Sequence, residues 1–130
     1  MLFRSVDELR RLITTNAAPV IVDVRSALGR EHDRRCIPSA LEMSLDEVGA
    51  RAAEFPMDRE VVFYCSCPNE ATAAFAARKL MDRGYVSVRP LRGGLDAWAA
   101  AGYEIELRRG KAEVAEASAV NPLPPAVPQA

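Results

Sequence analysis

Two thiols one residue apart, Cys65 and Cys67, stand in the run Cys65-Ser66-Cys67-Pro68-Asn69-Glu70-Ala71 and are the side chains of this 130-residue chain best suited to covalent chemistry. A thiolate is a strong nucleophile, and backbone N–H groups together with the positive end of a helix favour its formation. The run lies between Val61-Val62-Phe63-Tyr64-Cys65, a β-branched and aromatic stretch, and an alanine-rich stretch beginning at Glu70. Cys65 is therefore read as the last residue of a buried strand, followed by a short loop into a helix. It is either a reactive thiolate cradled by loop amides or a small apolar plug. Cys67 is either a resolving thiol that pairs with Cys65 or a small side chain filling a tight turn. Glu70 suits the first turn of a helix and Asn69 its N-cap. Cys36 reads as a buried or partly buried structural thiol. The single histidine, His32, has no cysteine or carboxylate at metal-ligand spacing, so no metal is expected.

The elements that must hold this loop follow from periodicity. Ser5 with Glu8 and Ser44 with Glu47 are capping-box pairs. The first opens a helix near 5–15 with Val6, Leu9, Leu12 and Ile13 on one face. The second opens a helix near 45–55 with Leu45, Val48, Ala52 and Phe55 on one face. Strands are predicted at Val20–Val24, at Val61–Cys65 and within Val86–Leu91. A helix runs from Glu70 to Arg83 with Gly84 as its stop, and a last short helix from Leu95 to Ala101 ends at Gly102. Strands alternating with helices imply right-handed crossovers and an α/β fold with a mostly parallel sheet. The Val61–Cys65 run, apolar on both faces, reads as its central strand. In such sheets ligands gather beyond the carboxyl ends of the strands, which is where Cys65 falls.

Composition narrows the function classes. Seventeen basic and 18 acidic side chains give a net charge of −1, and 49% of residues are hydrophobic. That balance offers no basic face to release counterions from phosphates, so nucleic-acid partners are not expected. No window approaches the roughly 18 to 20 apolar residues of a membrane span, and Met-Leu-Phe-Arg-Ser lacks the layout of a signal peptide. Three cysteines are an odd number and suit reduced thiols in the cytoplasm. The composition changes at Lys111: residues 1–110 read as one domain, and 111–130, rich in Ala and Pro with no aromatic residue, as a disordered tail.

Four segments in order carry a resemblance to a known family: Ile21-Val22-Asp23-Val24-Arg25, Ile37-Pro38-Ser39-Ala40, Val62-Phe63-Tyr64-Cys65, and Leu91-Arg92-Gly93-Gly94-Leu95-Asp96-Ala97-Trp98. From about Ser5 to Glu106 the chain resembles a single rhodanese domain. The resemblance implies a three-layer fold with helices on both faces of the sheet. It also implies a sulfurtransferase in which Cys65 takes up sulfane sulfur as a persulfide, inside an anion cradle formed by Ser66, Cys67, Pro68, Asn69, Glu70 and Ala71. Asp23, Arg25 and Glu31 would fix the loops around the site, Trp98 would belong to the core, and no cofactor is implied. The partners implied are a small sulfur donor and a thiol or cyanide-like acceptor.

The loop departs from the family's Cys-x-x-Gly-x-Arg pattern: Pro68 replaces the glycine and Glu70 the arginine that attracts thiosulfate. A carboxylate about 6 Å from the sulfur at an effective dielectric of about 20 would repel it by roughly 2 to 3 kcal/mol, so weak thiosulfate use is expected. Arg25 and Arg92 are the nearest candidates for a replacement cation. Alternatives are a non-catalytic sensing or docking domain and a Cys65/Cys67 thiol-redox module. Phosphatase chemistry on this fold is disfavoured because Glu70 would repel a phosphate dianion. The heptapeptide Cys65–Ala71 is also similar to the loop of rhodanese domains fused behind DedA-type membrane proteins. That likeness implies a cytoplasm-facing domain associated with a membrane protein.

Overall fold

A computed structural model describes residues 1–66 and 70–108. Cys67, Pro68 and Asn69 lie outside the described residues, as does the tail assigned to 111–130. Four strands form one sheet: β1 (Val20–Asp23), β3 (Leu41–Glu42), β4 (Val61–Tyr64) and β5 (Val88–Pro90), in the order β3-β1-β4-β5. Every pairing in it is parallel, with Val22 opposite Phe63 and Asp23 opposite Tyr64. A separate antiparallel pair joins β2 (Arg35–Cys36) to β6 (Glu106–Leu107). The helices are α1 (Val6–Ile13), α2 (Ala27–His32), α3 (Leu45–Ala50), α4 (Ala71–Met81) and α5 (Gly94–Ala100).

The strand period of two sorts β4 into two cores. Val61, Phe63 and Cys65 pack with Val20, Val22, Val48, Ala73, Ala77 and Leu80 on the side of α3 and α4. Val62 and Tyr64 face the other way, among Leu9, Ile21, Ile37, Leu91, Leu95 and Trp98, on the side of α1 and α5. The result is the expected three-layer α/β arrangement with β4 internal in the sheet. Trp98 is buried in the second core, its Nε1–H donating to the Glu104 carbonyl at 2.7 Å.

Both capping boxes form. Glu8 N–H donates to Ser5 Oγ at 3.1 Å while Ser5 N–H donates to Glu8 Oε1 at 3.0 Å, and Ser44 and Glu47 repeat the exchange at 3.2 and 3.1 Å. Each box satisfies two otherwise orphaned donors. The helix expected over 45–55 stops at Ala50 and continues as a 3₁₀ turn, Ala52–Glu54. Phe55 precedes Pro56, which disfavours helical backbone, and Phe55 is extended at φ −74°, ψ 137°. The Tyr85 hydroxyl lies 2.8 Å from the Ala52 carbonyl and holds the tightened turn against the sheet. The strand expected within Val86–Leu91 shortens to Val88–Pro90, and Val86 is exposed. Gly84, at φ +94°, lets Tyr85 N–H close on the Leu80 carbonyl and end α4, a backbone conformation that glycine adopts without strain.

Candidate active site

Cys65 is the first residue past β4, at the carboxyl end of the parallel sheet. It is 3% exposed and shares the core of Val24 and Phe63, yet it also forms part of the floor of a surface pocket of about 690 Å³. Val24, Arg25, Ser26 and Gly29 line one side of that pocket; Ser44, Leu45 and Asp46, at the start of α3, line another, and Ser66 and Thr72 flank the thiol. Small side chains at Ser26, Gly29, Ser44 and Ser66 leave room beside the sulfur. A larger cavity of about 840 Å³ lies around Ile13, Pro19, Val20 and Leu41, at the opposite end of β1. No cysteine is among the described residues that line it, and the chemistry of a parallel sheet belongs at the end where Cys65 stands.

Beneath the pocket is a buried polar network. Asp23 and Arg25, 0% and 5% exposed, form an ion pair in which Arg25 Nη2 is 2.7 Å from Asp23 Oδ2 and Nε is 3.0 Å from Oδ1. Arg25 Nη1 and Nη2 also donate to the Asp33 and Arg35 carbonyls, each at 2.8 Å. The Tyr64 hydroxyl donates to Asp23 Oδ2 at 3.2 Å and accepts from Ile37 N–H at 3.2 Å. Burial pushes the Tyr64 phenol far above its ordinary range, and the Asp23 charge adds to the effect. This network joins the ends of β1 and β4 to the segment before Ile37, fixing the strand end from which Cys65 emerges. Tyr64 and Asp33 are members that pattern reading missed: the Tyr64 hydroxyl reaches Asp23 41 positions away, and Asp33 contributes a backbone carbonyl, which side-chain type does not report. Glu31, expected to help, is exposed on α2.

The two candidate replacement cations are placed differently. Arg25 lines the pocket, but its Nε and both Nη atoms are already committed to Asp23 and to carbonyls. Arg92 is exposed and stacks over the Phe3 ring, 4.7 Å from its centroid, outside the pocket lining.

The start of α4 corrects the helix-capping expectation. Ala71 is its first residue and Glu70, not Asn69, is the N-cap, with left-handed backbone at φ 54°, ψ 35° and no side-chain capping bond. The Glu70 carboxylate instead accepts from Gly93 N–H at 2.9 Å. That bond ties the loop leaving Cys65 to the Gly93-Gly94 turn. The same turn meets Cys65 directly, since Leu95 N–H points at the Cys65 carbonyl at 3.4 Å. A Cβ on Gly94 would come within 2.1 Å of that carbonyl oxygen. Gly94 is needed for this close approach as well as for its φ of +58°.

Of the residues expected to form a cradle, Ser66 is exposed beside Cys65, Glu70 is half-buried and Ala71 opens α4; Cys67, Pro68 and Asn69 are outside the described residues. Cys36 sits apart on β2, with Arg108 Nε donating to its Sγ at 3.1 Å and its thiol directed at the Glu106 carbonyl at 3.3 Å. Burial pushes this thiol up, against the Arg108 charge. His32 is exposed on α2, and no cluster of metal-ligating side chains occurs among the described residues.

A thiol at the end of a parallel strand, before a helix and against a Gly-Gly turn, agrees with the sequence comparison, in which the rhodanese-like domain family matches residues 5–101. The chain belongs to that family. A relative from Allochromatium vinosum, named a sulfurtransferase, is 37% identical to this rhodanese domain over 91 residues, covering 70% of this chain and 81% of the relative. Among solved structures, a protein from Anabaena sp. superposes with a TM-score of 0.68 at 25% identity, covering 81% of this chain and 82% of its own. A rhodanese-related protein from Thermoplasma volcanium gives a TM-score of 0.67 at 18% identity over 83% of this chain and all of its own, which speaks to the fold alone.

Proposed function

We propose that this rhodanese domain is a sulfurtransferase that carries sulfane sulfur as a persulfide on Cys65. The observation that supports it most is the position of Cys65: a thiol beyond the carboxyl end of the internal strand of a rhodanese fold, on the floor of a pocket large enough for a small donor. In the first half-reaction the Cys65 thiolate attacks the terminal sulfur of a donor R–S–S⁻, forming Cys65–S–S⁻ as the donor S–S bond breaks and RS⁻ leaves. In the second, an acceptor thiolate takes that sulfur, and the Cys65 thiolate is restored. No net oxidation occurs and no cofactor enters.

Persulfide donors suit the site better than thiosulfate. Glu70 stands where the family has a cation, and the Arg25 guanidinium is neutralised by Asp23. In this reading Ser66 to Ala71 line the cradle, and the domain works in the cytoplasm beside a membrane protein, for which the support is the Cys65–Ala71 heptapeptide. The family resemblance further favours a thiol or cyanide-like acceptor.

Intact-mass spectrometry after incubation with a persulfide donor tests the proposal. Wild type gains one sulfur per chain on Cys65, and Cys65→Ser gains none in the loop. The same adduct on Cys65→Ser overturns the assignment. A wild type that gains no sulfur from any donor, with normal partner binding after Cys65→Ser, indicates a docking domain. A Cys65–Cys67 disulfide in a glutathione buffer, without sulfur uptake, indicates a redox module.

A further inference from the structure

The pocket above Cys65 carries an uncompensated negative charge at its rim. Among the described residues that line it, Arg25 is the only cation, and it is held by Asp23. Asp33 is likewise paired, with Arg35 Nη2 at 2.8 Å from its Oδ2. Asp46, exposed on the first turn of α3, has no ion-pair partner among the described residues. Glu70 lies outside that lining, with its carboxylate on Gly93 N–H, so the charge at the rim is that of Asp46. An anionic ligand approaching the sulfur thus meets repulsion from Asp46 that no free cation in the described lining offsets.

We infer that Asp46 sets the specificity of this pocket for a small thiol or persulfide bearing an ammonium group, which the Asp46 carboxylate attracts while the sulfur reaches Cys65. The inference rests on Cys65 acting as the persulfide carrier and adds the charge class of its reaction partner. The pocket, about 690 Å³, accommodates an aminothiol with several waters. Asp46 takes no part in the S–S exchange; it changes the local concentration and orientation of the partner.

The test separates the two ideas. The full chain is loaded with inorganic polysulfide, and a one-sulfur gain on Cys65 is confirmed by mass. Release of that sulfur is then timed with cysteamine, 2-mercaptoethanol and 3-mercaptopropionate, with rates compared per thiolate at low ionic strength. The order expected is ammonium, then neutral, then carboxylate, with about threefold between steps for a unit charge near the rim. High salt compresses the order. Asp46→Asn narrows it, Asp46→Lys reverses it and Asp46→Glu preserves it. Equal rates in wild type, or an order unchanged in both Asp46→Asn and Asp46→Lys, overturn the role of Asp46 while leaving the persulfide on Cys65 standing. Failure of Cys65 to load removes both.

Discussion

Glu70 combines two effects that a substitution can separate. Its carboxylate is an anion where the family carries a cation, and it is also the acceptor that holds Gly93 N–H at 2.9 Å. Glu70→Gln keeps an oxygen for that bond and removes the charge. It should raise kcat/KM for thiosulfate by at least about threefold, or about 0.7 kcal/mol, with the unfolding midpoint unchanged. Steady-state kinetics beside a thermal melt check this, and an unchanged kcat/KM would make loop geometry the limit. Asp23 has a different character. Its carboxylate neutralises Arg25 inside the protein and accepts from the Tyr64 hydroxyl. Asp23→Asn leaves the guanidinium charge buried without its counter-ion and should cost about 3 to 5 kcal/mol, read from urea denaturation. The simultaneous Asp23→Asn and Arg25→Met change should recover part of that loss, because no uncompensated charge then remains.

At the scale of elements, the site is a junction of three pieces: the end of β4, the start of α4 and the turn into α5. Gly94 is where two of them touch. Its φ is +58°, and an alanine methyl carbon there would lie 2.1 Å from the Cys65 carbonyl oxygen, so the turn has no space for alanine. Gly94→Ala should destabilise by at least about 2 kcal/mol and displace the Cys65 backbone. Loss of sulfur loading beyond the unfolded fraction, measured on the same sample as a thermal melt, checks both consequences; full loading would show that the turn does not set the thiol's position. The break between α3 and the 3₁₀ turn belongs to this scale too, since the Pro56 ring and the Tyr85 hydroxyl act together on a segment whose apolar period alone continues to Phe55.

For the molecule as a whole, two cores on either side of one parallel sheet place several titratable groups out of water. Burial pushes the Cys36 thiol up, against Arg108, so the folded protein holds this proton more tightly than the unfolded chain. Unfolding therefore releases a proton once pH passes the unfolded thiol value of about 8.5, and stability falls as pH rises from there toward the folded value. Tyr64, also pushed up, acts in the same direction at higher pH. Urea titrations from pH 7 to 10 should show stability level to about pH 8 and declining above it, with a shallower decline in Cys36→Ala. A profile that rises with pH would mean that Arg108 outweighs burial at Cys36.

Local chemistry made much of this protein legible in its sequence. Capping boxes at Ser5 and Ser44, the apolar run at Val61, the alanine-rich stretch before Gly84 and the placement of Cys65 before a helix all depend on residues close along the chain, where spacing maps directly onto geometry. What only the tertiary structure decided depends on residues far apart. The Glu70 carboxylate reaches 23 positions along the chain to Gly93, and the Tyr64 hydroxyl 41 positions back to Asp23. Arg25 donates to the Asp33 and Arg35 carbonyls, 8 and 10 positions on, and Asp46 comes to the rim because α3 packs beside the Cys65 pocket. Periodicity reports which face a residue occupies; which charged group meets which partner across that face is set by how the layers stack.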